Sequence, residues 1–228
     1  MAGVAQLVEQ RTCNAKVGSS ILLAGTKSSA IHETPLRLLN PPPSLRNDFE
    51  SEDMANILVI YSTTDGHTLK ICQRLQKVIE QQSHRVTLSA IQHWRTIDLP
   101  EFDKIVIGAS IRYGKHSPLV LDLIRHNQQL LDSRPNAFFS VNVVARKPEK
   151  SQPDTNPYML KFLRKISWKP KQLAVFAGKI DFPKYTFFDR LMIRLIMWIT
   201  NGPTHPDAVV EFTDWHQVDS FGMLIADM

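Results

Sequence analysis

The stretch NILVIYSTTDGHTLKICQRL, residues 56–75, decides the fold. Its continuous apolar run, NILVIYS (residues 56–62), is typical of a strand that is buried on both faces of a parallel sheet. A cluster of hydroxyl residues with one glycine follows, which indicates a tight polar turn. An amphipathic helix is predicted over 68–82, with one apolar face made of Leu69, Cys72, Leu75, Val78 and Ile79.

The rest of the chain repeats this alternation of strand and helix. Further strands are predicted at 85–91, 104–110, 136–144 and 173–180. Further helices are predicted at 118–132, at 155–166, and after an N-cap at Asp214. Because strands joined through helices pair in parallel by right-handed crossovers, we expect an α/β fold: a three-layer sandwich around a five-stranded parallel sheet. Ligands of such sheets bind at the carboxyl ends of the strands.

A long insertion, about residues 181–207, is expected after or within the fifth strand. It contains KYTFFDRLMIRLIMWITNG (184–202), in which Lys184, Arg190 and Arg194 interrupt an apolar segment that is too short to span a bilayer. Two interpretations stay open. The helix packs on the domain, or it lies on an anionic membrane or a partner protein from about Phe187 to Trp198.

Residues 1–53 show neither the period of a strand nor that of a helix, and they end in the turn-rich linker NPPPSLRND (40–48). They are interpreted as a disordered extension, as a transit peptide, or as a segment foreign to the native protein. The third interpretation fits best, because VAQLVEQRTCNAKVGSSIL (4–22) resembles the translation of a tRNA gene on the wrong strand. We therefore expect Met54 to be the start, and 54–228 to be the functional domain.

Composition limits the class of protein. The chain has 27 Lys and Arg residues against 22 Asp and Glu, a net charge of +5, which suits phosphates, an anionic membrane or an acidic substrate. No run of alternating basic and aromatic residues supports nucleic-acid binding. Two cysteines, Cys13 and Cys72, make neither a disulfide framework nor a metal knuckle, so we expect a reducing cytosol and no metal site.

The loop after the first strand is the first candidate for a ligand site. It matches neither GxGxxG nor GxxxxGK[ST], which disfavours a dinucleotide site and a Walker site. Short hydroxyls, free backbone N–H groups and a helix N-terminus suit a phosphate monoester, although an ordinary helix cap has a similar sequence. The residues of this loop are Ser62, Thr63, Thr64, Asp65, Gly66, His67 and Thr68.

Two more loops, at 108–118 and 140–158, are expected to flank the first. They offer glycines for close backbone approach, aromatic rings and a basic cluster; surface packing residues and a solvated loop are the alternative interpretation. A phosphate cradle between two such loops is the layout that flavin mononucleotide (FMN) requires. The candidate contacts are Ser110, Ile111, Arg112, Tyr113 and Gly114 in the second loop, and Ser140, Val141 and Asn142 in the third.

Several strings resemble a known family. ILVIYSTTDGHT is similar to the phosphate loop of flavodoxins. The strings VIGASIRYGKH, FFSVNVVARKPEK, TNPYMLKFL, FDRLMIRLIMWIT and FTDW closely resemble the menaquinone-dependent protoporphyrinogen IX dehydrogenases of bacterial haem synthesis, which are long-chain flavodoxin-like proteins. The resemblance covers 54–228, and it implies a flavodoxin-like fold with FMN as the cofactor.

The resemblance also implies an activity. FMN-dependent oxidation of protoporphyrinogen IX to protoporphyrin IX would pass electrons to menaquinone or ubiquinone, at the cytoplasmic face of the inner membrane. A flavodoxin-type electron carrier without porphyrin activity, and a binding module without flavin, remain as alternatives.

Side-chain chemistry suggests roles within that activity. Arg146 and Lys147 are the candidates for binding the substrate's propionates, because a guanidinium fork suits a carboxylate. Arg112 is a second candidate, either for a propionate or for charge near the reduced ring. His116 is able to accept protons, but we expect a lone loop histidine to face solvent. No residue is identified as an obligatory general base.

Overall fold

The computed structural model describes residues 54–199 and 202–228. The expectations about residues 1–53 lie outside the described residues. The five strands predicted from the apolar runs form one sheet: β1 (Asn56–Ser62), β2 (Arg85–Ala90), β3 (Lys104–Ser110), β4 (Asn136–Asn142) and β5 (Gln172–Ala177). Their order is β2-β1-β3-β4-β5, and every neighbouring pair is parallel. The predicted five-stranded parallel sheet is confirmed, and the direction of strand order reverses between β1 and β3, which is where such folds bind ligands.

Helices cover both faces of the sheet. On one face lie α1 (His67–Glu80) and α6 (Trp215–Ala226), and on the other lie α2 (Pro118–His126), α3 (Gln128–Ser133) and α4 (Pro157–Leu163). A further helix, α5 (Phe187–Ile199), belongs to the insertion. The side chains of Leu58, Ile107 and Phe138 enter the core on the side of α2 and α4. Those of Val59 and Phe139 enter the core on the side of α1 and α6. Successive side chains of a strand thus enter the cores on opposite faces of the sheet, and both cores are buried. This explains why the central strands are apolar throughout, since burial of each side chain contributes about 1.5–3 kcal/mol to stability on either face.

Two predicted elements end earlier than expected, because an asparagine side chain competes with the regular backbone pattern. The helix predicted over 118–132 is divided at Asn127, whose side-chain amide donates to the carbonyl of Leu123 at 2.8 Å. The fourth strand stops at Asn142, whose side chain accepts a hydrogen bond from the N–H of Ala145 at 3.1 Å. That bond caps a short 3₁₀ turn at Val143–Arg146.

The predicted fifth strand is also shorter, because the chain leaves the main sheet at Gly178. It continues as β6 (Lys179–Asp181), which pairs antiparallel with β7 (Val209–Glu211) in a separate two-stranded sheet. Sequence analysis predicted neither this sheet nor β7. The insertion with α5 runs between the two strands. A small core of Ile180, Phe182, Tyr185 and Met197 packs it beside the carboxyl ends of the main sheet.

Candidate active site

A cavity of about 720 Å³ opens where β1, β3 and β4 end. Its volume lies within the range of about 300–1,000 Å³ that is usual for small-molecule sites. The loops after these strands form one side, and the insertion forms the other. The lining residues are 63–68, 110–114, 141–144 and 178–181, with Lys70, Tyr158, Lys184, Tyr185, Met192, Ile193, Ile196, Met197 and Glu211.

The structure brings all but two of the predicted cofactor residues to this cavity. The exceptions are Ser62 and Ser140, which are buried below it. The carbonyl of Ser62 accepts a hydrogen bond from Ser110 Oγ at 3.3 Å, and Ser140 Oγ lies 3.0 Å from His116 Nε2. The role of the lining residues in binding FMN stays a prediction, but three loops that are far apart in sequence do meet in one place.

The first loop presents the N-terminus of α1 to the cavity. Gly66 occupies the N-cap position with a φ of 82°, in the left-handed region that favours glycine. Its N–H donates to Thr63 Oγ1 at 3.0 Å, which holds the turn closed. Thr68 is 1% exposed, and its Oγ1 has no hydrogen-bond partner among the described residues. A buried hydroxyl without a partner costs about 1–3 kcal/mol, so a ligand that accepts a hydrogen bond there would be stabilised.

His67 connects the same loop to the chain that follows β7. Its Nε2 lies 2.7 Å from Thr213 Oγ1, and Thr213 donates its own hydrogen to the carbonyl of Ala177 at 2.7 Å. His67 Nε2 therefore carries the hydrogen of the neutral ring, which leaves Nδ1 as an acceptor. Nδ1 is buried and has no partner among the described residues. Burial lowers the pKa of His67, and the carboxylate of Glu211 opposes that shift.

The second loop makes a two-residue turn at the edge of the cavity. Tyr113 and Gly114 have φ values of 51° and 71°, and Arg112 and Lys115 exchange backbone hydrogen bonds of 2.9 and 3.1 Å. A positive φ at a tyrosine is uncommon and carries strain of the order of 1 kcal/mol. The Tyr113 ring remains largely exposed, so the strained turn presents a flat aromatic surface where the cavity opens.

A buried polar network supports the third loop from below. The amide groups of Asn142 and Asn156 face each other, and Asn156 Nδ2 lies 3.3 Å from Asn142 Oδ1. Asn156 also caps α4 by accepting from the N–H groups of Tyr158 and Met159. The network ties the end of β4 to the start of α4, so the backbone of 141–144 meets the cavity in a defined position.

His116 is part of this support, and the expectation that it faces solvent is wrong. Its ring packs edge-on against Phe138 and Phe162, with centroid distances of 5.6 and 4.7 Å. Burial lowers the pKa of His116 to about 4. The imidazole is therefore neutral at physiological pH, and it lies behind the cavity wall.

The structure does not bring Arg146 and Lys147 to the cavity. Arg146 Nη1 donates to the carbonyl of Val143 at 3.2 Å, and its guanidinium lies 5.9 Å from the centre of the Phe212 ring. The lining cations other than Arg112 are Lys70, Lys179 and Lys184. These three lysines were not among the site residues predicted from the sequence. For Lys179 and Lys184 the only available signal was the density of lysines near the insertion, because their approach to the cavity depends on the departure of the chain at Gly178. Lys70 lies in α1, two residues after Thr68.

Each of these cations is paired with a carboxylate. Lys70 contacts Glu211 at 3.1 Å, while Lys179 and Lys184 contact Asp181 at 3.0 and 3.6 Å. Arg112 contacts Asp65 at 3.2 Å and also Asp189, a buried residue of α5. Burial raises the pKa of Asp65, and the adjacent Arg112 offsets part of that effect. The charges around the cavity thus nearly cancel.

Comparisons with known proteins agree with this architecture. Residues 58–207 match the family model described as a flavodoxin domain. Protoporphyrinogen IX dehydrogenase (quinone) of Escherichia coli strain K12 is 39% identical over 171 residues, which are 75% of this chain and 94% of that protein. The protein of the same name from Leishmania major is 39% identical over 72% of this chain and 71% of its own length. Oxidised flavodoxin 2 from Bacillus cereus, a solved structure, is 14% identical over 76% of this chain and 99% of its own, with a TM-score of 0.45.

Replacing His116 with glutamine should flatten the pH dependence of stability in mild acid. Because the pKa of His116 is about 4 in the folded protein and about 6.5 in the unfolded chain, only the unfolded chain binds a proton there between those pH values. His116 therefore lowers the free energy of unfolding as the pH falls from about 6.5 to 4, by up to about 3 kcal/mol. Urea unfolding across this range measures the slope for both proteins. Equal slopes would contradict the neutral, buried state of His116.

Proposed function

Because the chain belongs to the flavodoxin domain family and, within it, to the quinone-dependent protoporphyrinogen IX dehydrogenases, we propose that it oxidises protoporphyrinogen IX to protoporphyrin IX in haem biosynthesis. The family membership makes it an oxidoreductase and points to a flavin cofactor. The proposal specifies FMN as that flavin, and a membrane quinone, menaquinone or ubiquinone, as the electron acceptor.

The observation that carries the proposal is the unpartnered hydroxyl of Thr68 at the start of α1. A phosphate monoester placed there would accept hydrogen bonds from Thr68 Oγ1 and from the first N–H groups of the helix, and it would face the positive end of the helix dipole. Gly66 has no side chain, and the ring of His67 is held by Thr213, so the oxygen atoms of the phosphate would be able to approach the backbone at the start of the helix. The donor set therefore fits FMN, whose phosphate is a monoester.

The remainder of the cavity suits a flat ring. Tyr113 and Tyr158 lie on its lining, as does the backbone of 141–144. FMN, when bound, supplies the electron-transfer chemistry, while the protein binds, orients and shields it. Met192, Ile193 and Met197 of the insertion close the opposite side with apolar surface, which reduces the access of water to the reacting edge.

The substrate is an apolar macrocycle that carries two propionates, and it needs both an apolar wall and cations. Met192, Ile193 and Ile196 supply apolar wall. Lys184 is the best placed of the lining cations for a propionate, because its side chain is 64% exposed and its contact with Asp181 is long, at 3.6 Å. This assignment replaces Arg146 and Lys147, which lie off the cavity.

The outer side of α5 is the proposed contact with the membrane. Phe188, Leu191, Leu195 and Trp198 follow one another at helical spacing and are each 48–76% exposed. Arg194 is exposed among them. A helix with an apolar stripe and basic residues is typical of segments that lie in the interface of an anionic bilayer. The enzyme would then sit peripherally on the cytoplasmic face of the inner membrane, where a quinone dissolved in the bilayer comes close to the cavity.

In the described ranges 54–199 and 202–228, every helix is too short or insufficiently apolar to cross a bilayer.

The proposed reaction is tested by an anaerobic assay of purified protein supplied with FMN, protoporphyrinogen IX and a soluble quinone. Growth of protoporphyrin fluorescence that requires both protein and quinone is the expected outcome. A flavodoxin-type carrier would bind FMN and produce no porphyrin above the rate without protein. A binding module of another kind would remain colourless after incubation with FMN.

Replacing Thr68 with valine should weaken FMN binding without weakening the apoprotein. The lost charge-assisted hydrogen bond is worth about 1.5–3 kcal/mol, so the Kd of FMN should rise about 10- to 100-fold. The free energy of unfolding without FMN should stay equal or rise, because valine keeps the shape and removes an unpartnered hydroxyl. Flavin fluorescence quenching and urea unfolding give the two quantities. Riboflavin is the control ligand: its Kd should not change, because it lacks the phosphate, and an equal loss for both ligands would refute the phosphate assignment.

Replacing Leu191 and Leu195 with serine should reduce binding to vesicles of anionic lipid. Each substitution removes an exposed apolar side chain from the proposed contact, and leaves the inward-facing side of α5 intact. Co-sedimentation with vesicles is expected to fall at least tenfold. Met223→Ser changes an exposed apolar residue on α6 and serves as the matched control, with expected binding like the wild type. Equal sedimentation of all three proteins would favour a helix that only packs on the domain.

A further inference from the structure

Asp189 is the buried carboxylate of a helix whose outer side is largely exposed. It lies in the first turn of α5, and it is 5% exposed, whereas Phe187 and Phe188 immediately before it are each 76% exposed. A carboxylate is rarely buried unless partners hold it, because desolvation of the charge is costly. The hydrogen-bond partners of Asp189 therefore indicate its structural role.

Two of those partners belong to the second cavity loop. Asp189 Oδ2 accepts from Arg112 Nη2, and Asp189 Oδ1 accepts from the hydroxyl of Tyr113. The hydroxyl of Thr186, one turn earlier in the insertion, donates to Asp189 Oδ2 at 2.9 Å. These hydrogen bonds from Tyr113 and Thr186, together with the charge of Arg112, lower the pKa of Asp189, so the side chain is a carboxylate at neutral pH.

Arg112 extends the connection to the phosphate loop. Its Nη1 lies 3.2 Å from Asp65 Oδ2, so one guanidinium joins a residue of the first loop to a residue of the insertion. Asp65, Arg112 and Tyr113 all line the cavity, and Asp189 lies behind them. Tyr113 also has the strained left-handed backbone, which needs an outside contact to hold it. The hydrogen bond to Asp189 is such a contact.

We propose that Asp189 is a positioning residue of the flavin site, through which the insertion holds Arg112 and Tyr113 in place on the lining of the cavity that would bind FMN. The inference rests on the proposed function, because it takes FMN as the ligand of the cavity. It adds that the insertion, besides covering the cavity, sets the relative affinity of the site for the oxidised and the reduced cofactor.

The charge of the cluster gives the direction of that effect. One guanidinium and two carboxylates leave a net charge of −1 beside the cavity. A flavin gains negative charge on reduction unless a proton follows each electron, so the cluster disfavours the reduced form. Asp189→Asn would bring the cluster to neutrality, and it would also weaken the hold on Tyr113.

The test compares FMN affinity and redox potential in the wild type and in Asp189→Asn. A looser second loop should raise the Kd of oxidised FMN about tenfold. The Kd of reduced FMN should stay about the same, because the removal of a negative charge favours the reduced cofactor and compensates for the looser loop. The ratio of the two dissociation constants then changes about tenfold, which moves the potential of the two-electron couple by about 30 mV in the positive direction. Asp219→Asn is the matched control, because Asp219 pairs with Arg74 at 2.6 Å on the surface between α1 and α6.

Tyr113→Phe provides the second variant and keeps the test decisive if Asp189→Asn does not fold. The change removes only the hydroxyl that donates to Asp189 and keeps the ring, which is 70% exposed, so folding should persist, and the Kd of oxidised FMN should rise several-fold. The double variant with Asp189→Asn should bind FMN like Asp189→Asn alone, because both changes break the same link.

Three outcomes overturn the inference and leave the proposed function intact. Asp189→Asn could match Asp219→Asn in both affinity and potential. Tyr113→Phe could leave the Kd unchanged, or the two effects could simply add. Wild-type protein that binds no FMN would overturn the proposed function as well. If the wild type binds FMN and one of the three outcomes above is observed, only the role of Asp189 is refuted.

Discussion

The parallel pairing of β1 with β3 is the constraint on which the site depends. The register that sets Ser62 opposite Ala109 makes both strands end at the same level, so the loops 63–68 and 111–114 leave the sheet side by side. Gly108 is essential to this arrangement. A Cβ at that position would lie 2.2 Å from Cζ of Phe139, which is a fully buried ring on the neighbouring strand. Only glycine lets β3 and β4 lie together with a phenylalanine packed across them, and the third loop then starts beside the first two.

The sequence predicted well those parts of the molecule that are determined by local pattern. β1 and β3 begin and end as expected, because continuous apolar runs bounded by polar turns have little alternative in an α/β chain. The errors at Asn127 and Asn142 have one cause, since the side-chain amide of asparagine forms a local hydrogen bond that periodicity does not register. The error at Gly178 arises because the chain beyond it pairs with β7 in a separate sheet. The convergence of three loops was also predictable, because it follows from topology alone.

Which other side chains reach the cavity is determined by tertiary packing, and sequence patterns contain little information about such packing. Arg146 looked suitable for a substrate because it lies in a basic loop, yet its guanidinium lies against Phe212. His116 looked exposed, yet its ring packs edge-on against Phe138 and Phe162. Lys184 and Asp189 were not selected, because the side of the sheet on which the insertion folds depends on the small core around Phe182 and Tyr185. Residues of an insertion reach a site through such contacts, which neighbouring residues in the sequence do not indicate.

The pairing of charges around the cavity is compatible with the proposal that one site binds both an anionic cofactor and an apolar substrate. If the cations were unpaired, phosphate and propionate would compete for the same lysines and arginines. Glu211 and Asp181 instead engage Lys70, Lys179 and Lys184, which leaves the N-terminus of α1 and the unpartnered Thr68 Oγ1 as the proposed anion site at one end. The apolar side of α5 then faces the other end of the cavity. The same helix is anchored by the buried carboxylate of Asp189 to Arg112 and Tyr113, so the position of the insertion and the position of the second loop depend on each other.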